Sequence, residues 1–172
     1  ITRERVNDST QGYGIKSLLL TGDTNGIALL YLLSITIFLF IGGFFARLIR
    51  MELLTPAGDL VQADTYHKLF TMHGQVMVFF FLIPSIPAVL GNFLVPLMIG
   101  AKDLAFPRIN LLSWYLFIIG GTLMLLCILT GVVDTGWTFY TPFRPAFRNT
   151  KVIEAGVSTF CPGFPPILTG PP

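Results

Sequence analysis

The sequence predicts an all-α membrane protein, with three transmembrane helices and the irregular start of a fourth, built as part of a larger helical bundle. Three observations carry this. Of 172 residues, 53% are hydrophobic and 12% are charged, against about 25% charged in a soluble domain. The apolar residues collect in three uncharged runs, each long enough for the roughly 20 residues that a bilayer crossing requires. The prolines and charges gather between and after those runs.

Residues 1–25 form a polar N-terminal segment that begins ITRERVNDSTQGYG and does not resemble a signal peptide. The chain opens on Ile1 rather than methionine, so the true N-terminus is expected upstream. The first helix is placed at 26–52, around the run 27–46 that Arg47 and Arg50 close. A loop with Pro56, Gly58, Asp59 and Asp64 follows at 53–65. The second helix is placed at 66–98. It opens near Tyr66, ends near Pro96 and kinks near Pro84. A kink inside lipid frees backbone groups that must find partners on neighbouring helices, which argues for a bundle.

A turn at 99–108 holds Lys102, Asp103, Pro107 and Arg108, and the third helix is placed at 109–133. The loop 134–156 contains Trp137 and Tyr140. Residues 157–172 begin like another span but contain Pro162, Pro165, Pro166, Pro171 and Pro172. Each proline costs about 3 kcal/mol or more in a helix interior, so this start of a fourth helix is irregular.

Charge excludes some functions. A net charge of +2 offers no nucleic-acid patch. Cys127 and Cys161 show neither a disulfide framework nor a zinc-ribbon spacing. Basic residues do not set the orientation, because five fall on one side of the membrane and six on the other.

The stretch YHKLFTMHGQVMVFFF holds both histidines, His67 and His73. Six residues apart on a helix, they are separated by roughly 240° and cannot chelate one metal from one face. His67 lies at the interfacial end beside Lys68. His73 lies inside the apolar run, where an ionisable side chain is costly and usually functional. Physical chemistry leaves two readings open: an interhelical hydrogen bond, or a metal or haem ligand. Gly74 beside it leaves room for a flat macrocycle or another backbone.

A second group, Asn92, Asp103, Asn110 and Ser113, gathers at one membrane face, with Tyr31 added from the first helix. Helix capping, worth about 1 kcal/mol, is the reading that spacing favours. A hydrated mouth for protons is the alternative. At the opposite face, Arg50 and Glu52 read as an interfacial snorkelling pair.

The string HGQVMVFFFLIPSIPAVLGNFLVPLMIGAKDLAFPRINLLSW, residues 73–114, resembles subunit I of the haem–copper oxidases, the family of cytochrome c oxidase. LIRMEL at 48–53 and TGWTFYTPF at 135–143 match the flanking segments in order and spacing. The resemblance covers most of 26–143. It implies the N-terminal portion of the catalytic subunit of a proton-pumping terminal oxidase, which passes electrons from cytochrome c to oxygen.

It further implies that His73 is an axial ligand of low-spin haem a, with Arg50 on the haem formyl group and Trp137 near the propionates. Asp103 falls on the acid at the mouth of the D proton pathway. Asn92, Asn110, Tyr31 and Ser113 fall on polar residues of its lower part. Glu52 falls on a carboxylate of a calcium or sodium site. High-spin haem a3 and copper B belong to the complete subunit and would be held by residues beyond Pro172, so no catalytic residue for oxygen reduction is expected here. The implied partners are oxidase subunits II and III, cytochrome c and membrane lipid, with no nucleic acid. The implied location is multi-pass in an energy-transducing membrane, the bacterial inner membrane rather than the mitochondrial.

This sequence departs from the family pattern at Leu111, where a second Asn is usual, and at Pro165 and Pro166, where two serines are usual. Two alternatives accompany the main reading. One is a quinol oxidase of the same superfamily, told apart by a dicopper motif in a partner subunit. The other is a non-catalytic scaffold with a structural His73, told apart by a pyridine haemochrome spectrum.

Overall fold

The computed structural model describes residues 17, 19–54, 56, 60–101, 103, 104 and 106–129, with side chains as far as 126. The loop after the third span, Trp137 and the proline-rich start of a fourth helix lie outside these residues. Among the described residues every long regular element is helical, and three stretches are long and apolar enough to cross a membrane.

The first span is α1, Thr24–Glu52, 29 residues and ~43 Å at 1.5 Å per residue. That exceeds the roughly 30 Å of bilayer hydrocarbon, so the helix is long enough to cross it with both ends in the polar layer. Its first turn has no side-chain cap from Asp23. The cap comes from elsewhere in the chain, as described below.

The second span is continuous from Ala63 to Ile99, 37 residues. It opens three residues before Tyr66 and runs past Pro96. Asp64 in the first turn favours this earlier start, because its charge complements the helix dipole. Asp64 also pairs with Lys68 one turn on, Nζ to Oδ2 2.6 Å. That exposed pair is worth a few tenths of a kcal/mol.

The span is not uniform. It comprises α2 (Ala63–Gln75), a π-helical segment Val76–Leu82, a second π-helical segment Ser85–Gly91, and α3 (Asn92–Ile99). The break expected near Pro84 therefore takes the form of widened turns on either side of that proline. In a π turn, the N–H of residue 87 would reach the carbonyl of Leu82, but Pro87 has no N–H. Ser85 Oγ donates to that carbonyl instead, at 2.8 Å. This local substitution is what an apolar medium requires of a freed carbonyl. The span closes on Gly100 at φ 71°, where Ala101 N donates to Pro96 O. The left-handed cap suits glycine.

The third span, α4 (Pro107–Leu129), begins on a proline, which has a preset φ and no N–H to leave unpaired at a first helical position. It packs on α1, as does the second span. Phe38 of α1, Phe80 of the first π segment and Phe117 of α4 meet at one junction, with ring centroids 4.9 to 5.7 Å apart. All three rings are buried, and aromatic pairs at such distances add about 0.5–1.5 kcal/mol beyond area burial. A Cβ on Gly121 would collide with the Phe38 ring, so the glycine is what lets α4 lie this close to α1. Many large apolar side chains face outward, including Phe40, Leu97 and Met98. That is the pattern of a helix group in lipid or against further helices.

Candidate functional site

His73 stands at the inner face of α2, half-buried. Its Nδ1 lies 2.9 Å from the carbonyl oxygen of Gly42 on α1. A carbonyl only accepts, so Nδ1 carries a proton, and in the neutral ring Nε2 then keeps its lone pair. This is the tautomer of a metal-ligating imidazole, with the second nitrogen anchored to a backbone carbonyl. The described residues give Nε2 no hydrogen-bond partner. The two readings of His73 are thus compatible, since the interhelical bond holds the ring through one nitrogen and leaves the other without a partner among the described residues.

Gly42 makes this approach feasible. A Cβ there would stand 2.6 Å from Met77 Sδ and 3.3 Å from Val76 Cγ1. Its neighbour Gly43 has open space where a Cβ would be. Gly74 is half-buried beside the histidine. The donor set, one imidazole anchored at Nδ1 with no described partner at Nε2, fits a haem ligand. His67 is exposed and rests edge-on against Tyr66, with centroids 6.2 Å apart, away from this arrangement.

At the other end of the spans, polar side chains interlock. Asn92 and Asn110 are buried and exchange amide bonds: Asn110 Nδ2 donates to Asn92 Oδ1 at 3.0 Å, and Asn92 Nδ2 donates to Asn110 Oδ1 at 3.4 Å. Asn92 Nδ2 also donates to Ala88 O at 2.8 Å. One turn deeper, Tyr31 OH and Ser113 Oγ lie 2.7 Å apart, both with no solvent exposure. Ser113 spends its only proton on Asn110 O, at 2.6 Å, so Tyr31 is the donor to Ser113. The line of donation ends on a backbone carbonyl, which cannot pass a proton on. These side chains therefore hold and orient, and a proton passing here must travel on water.

Asp103 is exposed and does not touch those four. Its Oδ1 accepts from Thr24 N at 3.2 Å and Thr24 Oγ1 at 3.3 Å, while Thr24 Oγ1 accepts from Leu104 N at 3.1 Å. The carboxylate thus caps α1 from the turn between the second and third spans, where charge and dipole agree. Capping is present, but for a different helix from the one that chain proximity suggests.

Arg50 and Glu52 do not pair with each other. Glu52 is buried, at 8% exposure, and its Oε2 accepts from Leu60 N at 3.1 Å. It ties Leu60 to the end of α1. Among the described residues no three His, Cys, Asp or Glu side chains converge as a metal site. Arg50 is exposed and lines a shallow recess with Ala46, Arg47, Met51, Leu53 and Leu54. Trp137 lies outside the described residues.

Three participants were not legible in the residue pattern. Gly42 acts through its backbone oxygen, 31 positions from His73. Thr24 opens α1 and bonds both Asp103 and Leu104, 79 and 80 positions on. Ser34 accepts from Trp114 Nε1 at 3.2 Å while donating to Leu30 O at 2.8 Å. A lone hydroxyl in an apolar run and a tryptophan were the available signals for that last pair.

The model of the family Cytochrome C and Quinol oxidase polypeptide I matches residues 26–167. The chain is 42% identical over 120 residues to the cytochrome c oxidase subunit 1 of Synechocystis sp., covering 70% of this chain and 22% of that protein. It is 42% identical over 136 residues to a probable cytochrome c oxidase subunit 1-beta of Nocardia farcinica, covering 77% and 23%. It is 41% identical over 124 residues to the heme-copper oxidase subunit I+III of Aeropyrum pernix, covering 71% and 15%. The chain spans less than a quarter of the length of these relatives. With its three membrane-grade helices and this match across most of its length, the chain belongs to the cytochrome c and quinol oxidase polypeptide I family, the subunit I of haem–copper oxidases.

Proposed function

We propose that this chain is the N-terminal part of the catalytic subunit of a proton-pumping oxidase that takes electrons from cytochrome c and reduces oxygen to water. The observation that carries the reading is the His73 imidazole, bound through Nδ1 to Gly42 and free at Nε2. In this reading His73 Nε2 would hold the iron of low-spin haem a, and Gly74 would leave room beside it. Arg50 presents a guanidinium to the ring edge. When bound, the haem supplies a one-electron carrier between the donor and the haem a3–copper B centre, which residues elsewhere in the complete subunit would hold.

The chain's own residues do the positioning. The Gly42 carbonyl fixes the tautomer and the plane of the ring and raises its basicity as a ligand. The buried helix contacts on that side exclude water. At the opposite end, exposed Asp103 collects protons from solvent. The Asn92–Asn110 and Tyr31–Ser113 pairs shape a polar lining that solvates them. Glu52 is assigned to a peripheral calcium or sodium site, where its buried carboxylate would be joined by loop carbonyls. Trp137 is assigned to the propionate side on resemblance alone. Subunits II and III are the partners, in an energy-transducing membrane that we place as the bacterial inner membrane.

The test is His73→Ala in the complete oxidase, followed by the low-spin haem α-band. Loss of the band is expected, and an unchanged band rejects the assignment. His73→Asn separates ligation from packing, because an amide retains a donor for Gly42 and still loses the band. The family also contains quinol oxidases. Turnover with reduced cytochrome c and none with quinol supports the donor assigned here, and the reverse result replaces it.

A further inference from the structure

Arg47 lies one turn before Arg50 on α1, and both side chains line the same recess at the end of the helix. Both are exposed, and among the described residues neither forms an ion pair or hydrogen bond. Positions 43, 47 and 50 follow the i, i+4, i+7 spacing, so they form one stripe on α1. At the near end of that stripe, a Cβ on Gly43 would meet nothing within 4 Å. The adjacent Gly42 is the residue that anchors His73. From residue 43 to residue 50 the stripe is ~10 Å long. Open space on α1, next to the residue that anchors His73, is thus followed along one helix face by two guanidiniums that pair with no described residue.

The geometry points to Arg47 as a second guanidinium directed at the edge of the low-spin haem, alongside Arg50. The inference rests on the haem reading of His73. Two fixed positive charges at i, i+3 are mutually unfavourable unless something negative or electron-rich lies between or beside them. Among the described residues the recess supplies no carboxylate: its other lining residues are Ala46, Met51, Leu53 and Leu54. An acceptor oxygen on a largely apolar macrocycle matches this lining. The guanidinium supplies the donors and the leucines and methionine supply the apolar contact. Arg47 then contributes in two ways. It orients the ring through a hydrogen bond, and its charge stabilises the electron-rich, reduced form.

The test uses the complete oxidase. Arg47→Gln removes the charge, and Arg47→Lys keeps the charge while losing the planar fork. Haem content by pyridine haemochrome, the low-spin α-band and the low-spin midpoint potential are measured in each. With haem at full occupancy, Arg47→Gln is expected to lower the midpoint potential, and Arg47→Lys to fall between it and the parent. A band shift accompanying the change identifies the acceptor as a carbonyl conjugated to the ring. A potential change without a band shift identifies a carboxylate. Unchanged band and potential in Arg47→Gln at full occupancy overturn the inference and leave Arg47 to the lipid headgroups. Should Arg47→Gln fail to assemble, Arg47→Lys decides, and an unshifted band and potential in that variant overturn it equally. Failure of the underlying reading looks different, because His73→Ala would then keep a complete low-spin spectrum.

Discussion

Gly42→Ala tests how tightly the first two spans must approach for His73 to be held. The added Cβ would sit 2.6 Å from Met77 Sδ, 3.0 Å from Met77 Cγ and 3.3 Å from Val76 Cγ1. Comfortable non-bonded separations are about 3.5–4.0 Å, so the methionine sulfur must retreat by roughly 1 Å. Met77 is half-buried and flexible, but Val76 is fully buried and β-branched, hence stiff. Part of the strain therefore passes to the helices, and overpacking of this kind costs about 1–3 kcal/mol. The bond from His73 Nδ1 to Gly42 O is 2.9 Å long. A separation of a few tenths of an ångström carries it beyond the usual limit of about 3.2 Å. Weakening the outer partner of a metal-ligating histidine typically lowers affinity about 10–100-fold. The assay is thermal unfolding of the complete oxidase, together with low-spin haem occupancy by optical spectroscopy. Both should fall, and Met77→Ala on the same background should restore part of the stability. A variant that matches the parent in melting temperature and spectrum would refute the tight approach and the role of Gly42 as anchor.

The polar end makes three further predictions. Asn92→Leu and Asn110→Leu each leave a buried amide without its partner and should cost about 1–3 kcal/mol, while the double variant should cost clearly less than the sum; additive melting shifts would count against the reciprocal pair. Ser113→Ala strands the Tyr31 hydroxyl, whereas Tyr31→Phe leaves Ser113 still bonded to Asn110 O, so the serine variant should be the less stable of the two in denaturant titration. Equal losses would show that Tyr31 has another acceptor. Asp103→Asn keeps an oxygen for Thr24 and should preserve the haem spectra while slowing proton uptake, whereas Asp103→Ala should also lose about 1 kcal/mol of capping. Normal turnover and proton-to-electron stoichiometry in Asp103→Asn would remove the carboxylate from the proton path.

The three spans were legible because lipid imposes a simple rule: about 20 consecutive residues without charge. The breaks were less so. Pro84, Pro87 and Pro96 read as a kink and an approaching end; the span passes through all three and closes at Ile99, one residue beyond the placed 98. Medium explains this. In water a freed carbonyl finds solvent, but in an apolar layer the chain widens into π turns and recruits Ser85. For the site, residue type and helical arithmetic singled out His73 and separated it from His67. They left its role open, because the partner is a carbonyl on another helix, and any residue at 42 has one. Asp103 shows the same gap from the other side. Its capping character was legible, but the capped helix starts 79 positions earlier in the chain. Contacts of that separation follow from how helices pair, which local pattern does not encode.

That separation has a consequence for the order of assembly. The first turn of α1 leaves the ribosome with its amide groups unmet, and the carboxylate that meets Thr24 follows 79 residues later. At about 5–20 residues per second the delay is about 4–16 s. During this time the first turn of α1 is without the carboxylate that caps it. The carboxylate that caps the first span is therefore made only after the whole of the second span, so the cap closes a loop that contains a complete membrane crossing.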